Sequence, residues 1–184
     1  MISFTEFQEM DLNGKTAKKE YLFDRIAGMP VFIPQELASK ADRHAEIRKN
    51  NHKHHNKSDF NDEADRVGLY GECAFATKYG LEVDWQIKLK DAYDFKIGDT
   101  LIDVKTSEYN PYLTVKLDRI HPEYMYVWCV CRIEFNDAKI VGWLMGHDVP
   151  KLGEIVTKYF DEKLEEPYWK VSYTLLNRMA TIKF

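Results

Sequence analysis

Three aspartates and one lysine lie close together in the stretch YDFKIGDTLIDVKTS, residues 93–107: Asp94, Asp99, Asp103 and Lys105. Like charges that face each other across a β-ladder destabilise it. The cluster therefore has two interpretations. Either these are scattered, solvated charges, or a divalent cation lies between the carboxylates.

The pattern of this stretch predicts a β-hairpin. Gly98-Asp99 suits a two-residue type II′ turn, which prefers glycine at its first central position. With that turn, Asp94 faces Asp103 at the far end of the ladder, and the Cβ atoms of such a pair lie about 4.5–5.5 Å apart. Period-two alternation places Lys105 on the same face as Asp103. Asp99 lies in the turn itself, where its ordinary role is turn formation.

Two facing carboxylates with a lysine beside them have a use in phosphodiester hydrolysis. Mg²⁺ binds through one or two carboxylates and keeps positions open for water and phosphate. The metal lowers the pKa of its water and stabilises developing charge, and an adjacent lysine can orient or activate that water. The tripeptide (D/E)-x-K alone is not specific, because it occurs four times in the chain. Only the occurrence at Asp103–Lys105 lies on an apolar strand with another acid opposite.

Beyond the hairpin, a series of segments is similar to a known superfamily. VGLYGECAF (67–75), YDFKI (93–97) and IDVKTS (102–107), followed by YVWCVCRIEF and VGWLMG, resemble the PD-(D/E)XK (restriction-endonuclease-like) nucleases. The segment from Gly68 through Gly71 to Glu72 matches the start of the family's acidic helix. Tyr93 stands where the family usually has proline. The resemblance covers roughly residues 66–148.

The resemblance implies an α/β fold of mixed α+β type, with an αβββαβ core around a central mixed sheet. It implies a metal-dependent nuclease that uses Mg²⁺, for which Mn²⁺ can substitute. The metal ligands would be Glu72, Asp94, Asp103 and the backbone carbonyl of Val104, with Lys105 beside the attacking water. Asp91 and Asp99 stay alternatives to Asp94 for the middle position.

Charge is distributed unevenly along the chain, whose net charge is −4. Residues 40–57 carry six Lys or Arg against two acids, and four His add positive charge at lower pH. A local basic excess on an acidic protein indicates contact with a polyanion, although a solvated helix and loop would also explain it. We expect DNA phosphates to be contacted here by Lys40, Arg43, Arg48, Lys49, Lys53 and Lys57.

Length and patterning predict a single nuclease domain over residues 1–184. Residues 1–60 would form a basic N-terminal extension with helices over 15–28 and 34–49. Residues 61–150 would form the catalytic core, with a helix over 62–80 and strands from residue 81 onward. Residues 151–184 would form a mixed C-terminal extension that includes a helix over 151–164.

Composition narrows the class of protein further. No apolar run approaches the roughly 20 residues that span a bilayer, and no signal peptide is visible. Three cysteines without a CxxC motif indicate free thiols in a reducing compartment. We therefore expect a cytoplasmic protein, of microbial or phage origin, and the resemblance implies that it hydrolyses DNA. A homo-oligomer stays possible. A non-catalytic nucleic-acid-binding protein on the same fold and an RNA-directed nuclease are the alternatives.

Overall fold

The computed structural model describes residues 22–53, 61–86, 93–108, 110–159 and 162–182. Within these ranges the protein is a mixed α+β structure. Two helices pack on one face of a mixed sheet, and a smaller sheet packs on the other face. None of the described helices is long and apolar enough to cross a membrane.

The helices follow from local sequence signals. Helix α1 spans Gln35–Lys53, α2 spans Asn61–Tyr79, and α3 is a single turn at Val149–Leu152. Pro34 precedes α1, where its fixed φ suits a helix start. Gly80 ends α2 with a φ of 67°, and the Leu81 N–H donates to the Ala76 carbonyl at 2.9 Å, as in a Schellman cap.

Two of the predicted helices are confirmed, those over 34–49 and 62–80. Of the helix predicted over 15–28, residues 22–25 are helical, and residues 15–21 lie outside the described part of the chain. Residues 81–86 of the first predicted strand are irregular, and the remainder of that strand also lies outside the described residues.

The larger sheet has the strand order β1-β6-β5-β3-β2, with β9 also beside β6. Its strands are β1 (Met29–Phe32), β2 (Phe95–Ile97), β3 (Thr100–Ser107), β5 (Tyr124–Arg132), β6 (Asp137–Met145) and β9 (Asn177–Arg178). The remaining strands, β4 (Tyr112–Lys116), β7 (Glu154–Tyr159) and β8 (Glu162–Ser172), form an antiparallel sheet of order β4-β8-β7. In the larger sheet β3 and β5 are parallel, and the other pairings are antiparallel.

The predicted helix over 151–164 is wrong, because β7 and part of β8 occupy most of this range. Helix α3 ends at Leu152, and the chain continues after Gly153 as an antiparallel hairpin. Ile155, Val156 and Thr157 are β-branched residues, which favour strands because their side chains are restricted in a helix. The pairing of β8 with β4 completes this second sheet.

A parallel pair of strands needs a crossover connection. The resemblance implies a helix between β3 and β5. The described part of this connection, residues 108 and 110–123, holds instead β4 and a 3-10 turn at Leu117–Arg119. The mixed sheet that was predicted is present, but its crossover is built from a strand.

The central strand β5 is buried on both faces and divides the core into two parts. Val127 and Cys129 face the cluster that contains α1 and α2. Tyr126 and Trp128 face the second sheet. Strand β3 lies beside β5 and alternates in the same way, so its side chains also divide between the helical face and the face of the second sheet.

Candidate active site

The candidate site lies on the β2–β3 hairpin, whose register agrees with the prediction for residues 95–97 and 100–102. The predicted pairing of Asp94 with Asp103 is not part of this ladder, because Asp94 binds the backbone of Ile102 and Val104 instead. Phe95 pairs with Ile102, and Ile97 pairs with Thr100. Gly98 has a φ of 57°, and Asn136 is the only non-glycine with positive φ among the described residues, so Asp99 has negative φ. One positive φ at the first central position is the signature of a type II′ turn.

Asp94 lies one residue beyond this ladder and binds the backbone of β3. Its N–H donates to the Ile102 carbonyl at 2.8 Å. Its side-chain Oδ2 accepts a hydrogen bond from the Val104 N–H at 2.7 Å. The Asp94 carboxylate therefore lies at the edge of β3, at the residue between Asp103 and Lys105.

The edge of β3 beside Val104 is open in the described residues, because the pairing of β2 with β3 reaches only to Ile102. The N–H and C=O of one strand residue point to the same side of the strand. The Val104 carbonyl therefore faces the same edge as its N–H, towards Asp94.

Asp103 and Lys105 form an ion pair on the face of β3 that is turned away from α2. Asp103 Oδ1 lies 2.7 Å from Lys105 Nζ, and their side chains are 14% and 35% exposed. Ile102 and Val104 are buried in the cluster that includes α2, as alternation predicted. The Asp103 carboxylate is largely buried and the Lys105 side chain is half-buried, so the ion pair holds two opposite charges on this face of β3.

Tyr126 packs beneath the ion pair of Asp103 and Lys105. It pairs in register with Asp103, and Lys105 Nζ lies 5.9 Å from the centre of its ring. Its hydroxyl accepts from the His121 N–H at 2.9 Å and donates to the Arg119 carbonyl at 3.2 Å. Burial, and to a lesser degree the nearby Asp103, raises the pKa of Tyr126. The phenol therefore stays protonated and acts as a hydrogen-bond donor.

Glu72 is buried in α2, with 7% of its surface exposed. The preceding Gly71 packs directly against β3, since a Cβ placed on it would lie 1.7 Å from Thr106 Oγ1. Gly68 has no atom within 4 Å of such a Cβ, so the close approach needs only the second glycine of the pair. Among the described residues no group of three His, Cys, Asp or Glu side chains is placed to hold a metal ion.

The hairpin therefore brings together Asp94, Asp103 and Lys105, but the structure does not assemble Glu72 with them as a three-carboxylate cluster. Asp99 is exposed in the turn, away from the pair. Asp91 lies outside the described residues. The Asp94 carboxylate and the Val104 carbonyl at the β3 edge, and the Asp103 carboxylate on the adjoining face, are hard oxygen donors of the kind that Mg²⁺ takes.

The basic residues of α1 do not form one continuous face. Lys40 Nζ lies 4.6 Å from the centre of the Trp85 ring, and the His44 ring lies 4.8 Å from it. Burial lowers the pKa of His44, and the positive charges of Lys40, Arg48 and Arg43 lower it further. These three basic residues therefore lie near the His44 ring.

Lys49 lies elsewhere, in a cleft between α1 and α2 that is also lined by Asp42, Glu46, Glu63 and Arg66. Three acids against two basic residues, Lys49 and Arg66, leave this cleft negatively charged, which is unfavourable for phosphate. The side chain of Lys53 and all of Lys57 lie outside what the structure describes. Of the other predicted phosphate contacts, Lys40 and Arg43 are exposed and Arg48 is half-buried.

Sequence reasoning missed other residues near the site. Glu108 is buried directly after β3, with 2% of its surface exposed. Tyr93, Tyr124 and His121 form a row of rings next to the hairpin. Tyr93 was noted only as a substitute for proline, although an aromatic residue directly before a candidate ligand was a signal that could have been used.

Comparisons of the chain with protein-family models, with curated proteins and with solved structures find no match.

Proposed function

We propose that this protein is a metal-dependent nuclease that hydrolyses phosphodiester bonds of DNA, with Asp94, Asp103 and Lys105 at its active site. One observation carries the proposal. The Asp94 carboxylate accepts the Val104 N–H at 2.7 Å, between an acid and a lysine whose side chains are themselves 2.7 Å apart. Scattered, solvated charges would not be expected to lie around one backbone residue, Val104, in this way.

The groups on this edge have complementary roles in hydrolysis. A bound Mg²⁺ would neutralise phosphate charge and lower the pKa of a water molecule. Asp94 and Asp103 would supply oxygen ligands, whereas Glu72 lies on α2, on the other side of the sheet from Asp103. Lys105, paired with Asp103, would orient the attacking water or balance charge on the phosphate. Tyr126, on the neighbouring strand β5, lies beneath this pair.

The proposal is tested by incubating the purified chain with plasmid, linear duplex, single-stranded DNA and RNA, each with Mg²⁺, Mn²⁺ or a chelator. We expect metal-dependent cleavage of DNA by the wild type. Asp103→Asn and Lys105→Ala should each lower the rate by at least about 10²-fold, the lower end of what a positioned acid–base group supplies. Circular dichroism of each variant checks that its fold is retained.

Asp99→Asn is the matched control, because Asp99 is a carboxylate of the same hairpin that lies in the turn. Its activity should equal that of the wild type. Full cleavage by Asp103→Asn would contradict the proposal, and so would equal loss in the Asp99 variant. Binding of DNA without cleavage under any metal would favour a non-catalytic nucleic-acid-binding protein, and cleavage of RNA alone would favour an RNA-directed enzyme.

A further inference from the structure

A row of three aromatic rings lies beside the candidate site. Tyr93 directly precedes Asp94 in the chain, and its ring centre lies 6.2 Å from that of Tyr124, at an angle of 84°. The His121 ring stacks on Tyr124 with centres 4.4 Å apart and an angle of 24°. We call Tyr93, Tyr124 and His121 the aromatic row.

The sheet register places this row next to the acids. Because β3 and β5 are parallel neighbours, Tyr124 pairs with Leu101 and Tyr126 pairs with Asp103. Paired residues of adjacent strands project from the same face of the sheet. The ring of Tyr124 therefore lies two residues along the strand from the position beside Asp103, on the face that carries the ion pair.

The outer rings of the row are accessible to a ligand. Tyr93 is 38% exposed, and a perpendicular contact with Tyr124 covers at most one face of its ring. The His121 side chain is 29% exposed, and its contact with Tyr124 uses one of its two faces. Tyr124 itself is buried and serves as the support between the two.

The loop that carries His121 is held firmly against the sheet. The His121 N–H donates to the Tyr126 hydroxyl, and the His147 N–H donates to the Pro122 carbonyl at 3.1 Å. Gly146 allows this approach, since a Cβ there would lie 1.9 Å from the His121 carbonyl oxygen. The ring is therefore fixed in position before any ligand arrives, which lowers the entropic cost of binding.

We propose that the aromatic row binds an unpaired nucleobase next to the phosphate at the acids, so that the substrate class is single-stranded nucleic acid or a splayed strand end. This inference rests on the proposed function, because it assigns a substrate to the same site. Every base has a π-face that an aromatic side chain can stack on. A base inside a duplex has both faces covered by its neighbours, so only an unstacked base offers a face to Tyr93 or His121.

The test measures binding in chelator, where no metal-dependent cleavage interferes. The full chain is titrated against three fluorescent oligonucleotides of equal length: a single strand, its duplex, and a single strand whose bases are replaced by abasic sites. The wild type should bind the strand with bases more tightly than the abasic strand, which carries the same phosphates. Tyr93→Ala and His121→Ala should each weaken that binding about 5- to 150-fold, as expected for one lost base stack, and leave abasic binding unchanged.

Two further variants separate stacking from general damage. Tyr93→Trp should keep the affinity, and oligonucleotide should quench its fluorescence relative to the wild type. Phe32→Ala removes an aromatic side chain that is exposed on β1, outside the aromatic row, and should not change binding.

The outcomes distinguish the two proposals. Equal affinity of the wild type for base-containing and abasic strands, or unchanged binding by both alanine variants, would overturn the stacking surface while leaving hydrolysis to its own test. Base-dependent binding that Tyr93→Ala removes, in a chain that cleaves nothing with any metal, would support the stacking surface and refute the nuclease.

Discussion

Gly68 and Gly71 lie one turn apart on α2, and they provide a sensitive test of how this helix is held against the sheet. Replacing either by alanine removes the same backbone flexibility and contributes about 0.5–1 kcal/mol of helix stability. The two variants differ in packing. A Cβ at residue 68 meets no atom within 4 Å, whereas one at residue 71 would lie 1.7 Å from Thr106 Oγ1 and 2.9 Å from its Cβ.

Rotation of the Thr106 side chain cannot relieve both contacts at residue 71, because its Cβ does not move on rotation. Overpacking of this kind costs about 1–3 kcal/mol. Since the helix term is common to both variants, that cost is also the expected difference in unfolding free energy between Gly68→Ala and Gly71→Ala. For a chain of this length each kcal/mol corresponds to about 2–4 °C in Tm.

Thermal and urea unfolding of the two variants measures this difference directly. Gly68→Ala should be more stable than the wild type, and Gly71→Ala less stable than Gly68→Ala. Adding Thr106→Ala should recover part of the loss at residue 71 and none at residue 68, which a double-mutant cycle would reveal. Equal stability of the two single variants would refute the close approach of α2 to β3, and with it the position inferred for Glu72.

Two more predictions concern the site and its surroundings. Asp94→Asn should keep the hydrogen bond to the Val104 N–H through its amide oxygen, whereas Asp94→Ala should lose about 0.5–1.5 kcal/mol of stability in urea unfolding. Both variants should lose cleavage. Cleavage retained by either variant would count against Asp94 as a metal ligand. Because burial and its basic neighbours lower the pKa of His44 below 6.5, the unfolded chain binds more protons as pH falls through that value, and stability decreases there. Tm should therefore fall between about pH 7 and pH 5, and His44→Gln should reduce this fall. An unchanged pH dependence of Tm would contradict the lowered pKa of His44.

The hairpin could be predicted because its signals are local. Gly98 at the first turn position sets the register, and alternation along β3 then places Ile102 and Val104 on one face and Asp103 and Lys105 on the other. The hydrogen bond between the Asp94 carboxylate and the β3 backbone could not be predicted from the sequence. Alternation gives the face of a side chain, but its hydrogen bond to the Val104 N–H depends on where the pairing with β2 stops.

Long-range pairing also limited the prediction of the fold. The segment 151–164 contains charged residues at a spacing that suits a helix, but β7 pairs with β8. Strand β8 in turn pairs with β4, whose paired residues lie 52–60 positions earlier in the chain. The parallel pairing of β3 with β5 has the same origin. It brought Tyr124 and His121 beside the hairpin, which no local pattern around residues 93–107 could indicate.

The open side of β3 is also a hazard for the folded protein. Past Ile102, the described structure leaves backbone groups of β3 without a neighbouring strand on the side of β2, and such a row invites pairing with another molecule. Asp94 caps one of these groups with a negative charge, which makes the approach of a second strand unfavourable. We therefore expect Asp94→Ala to aggregate sooner on storage than the wild type.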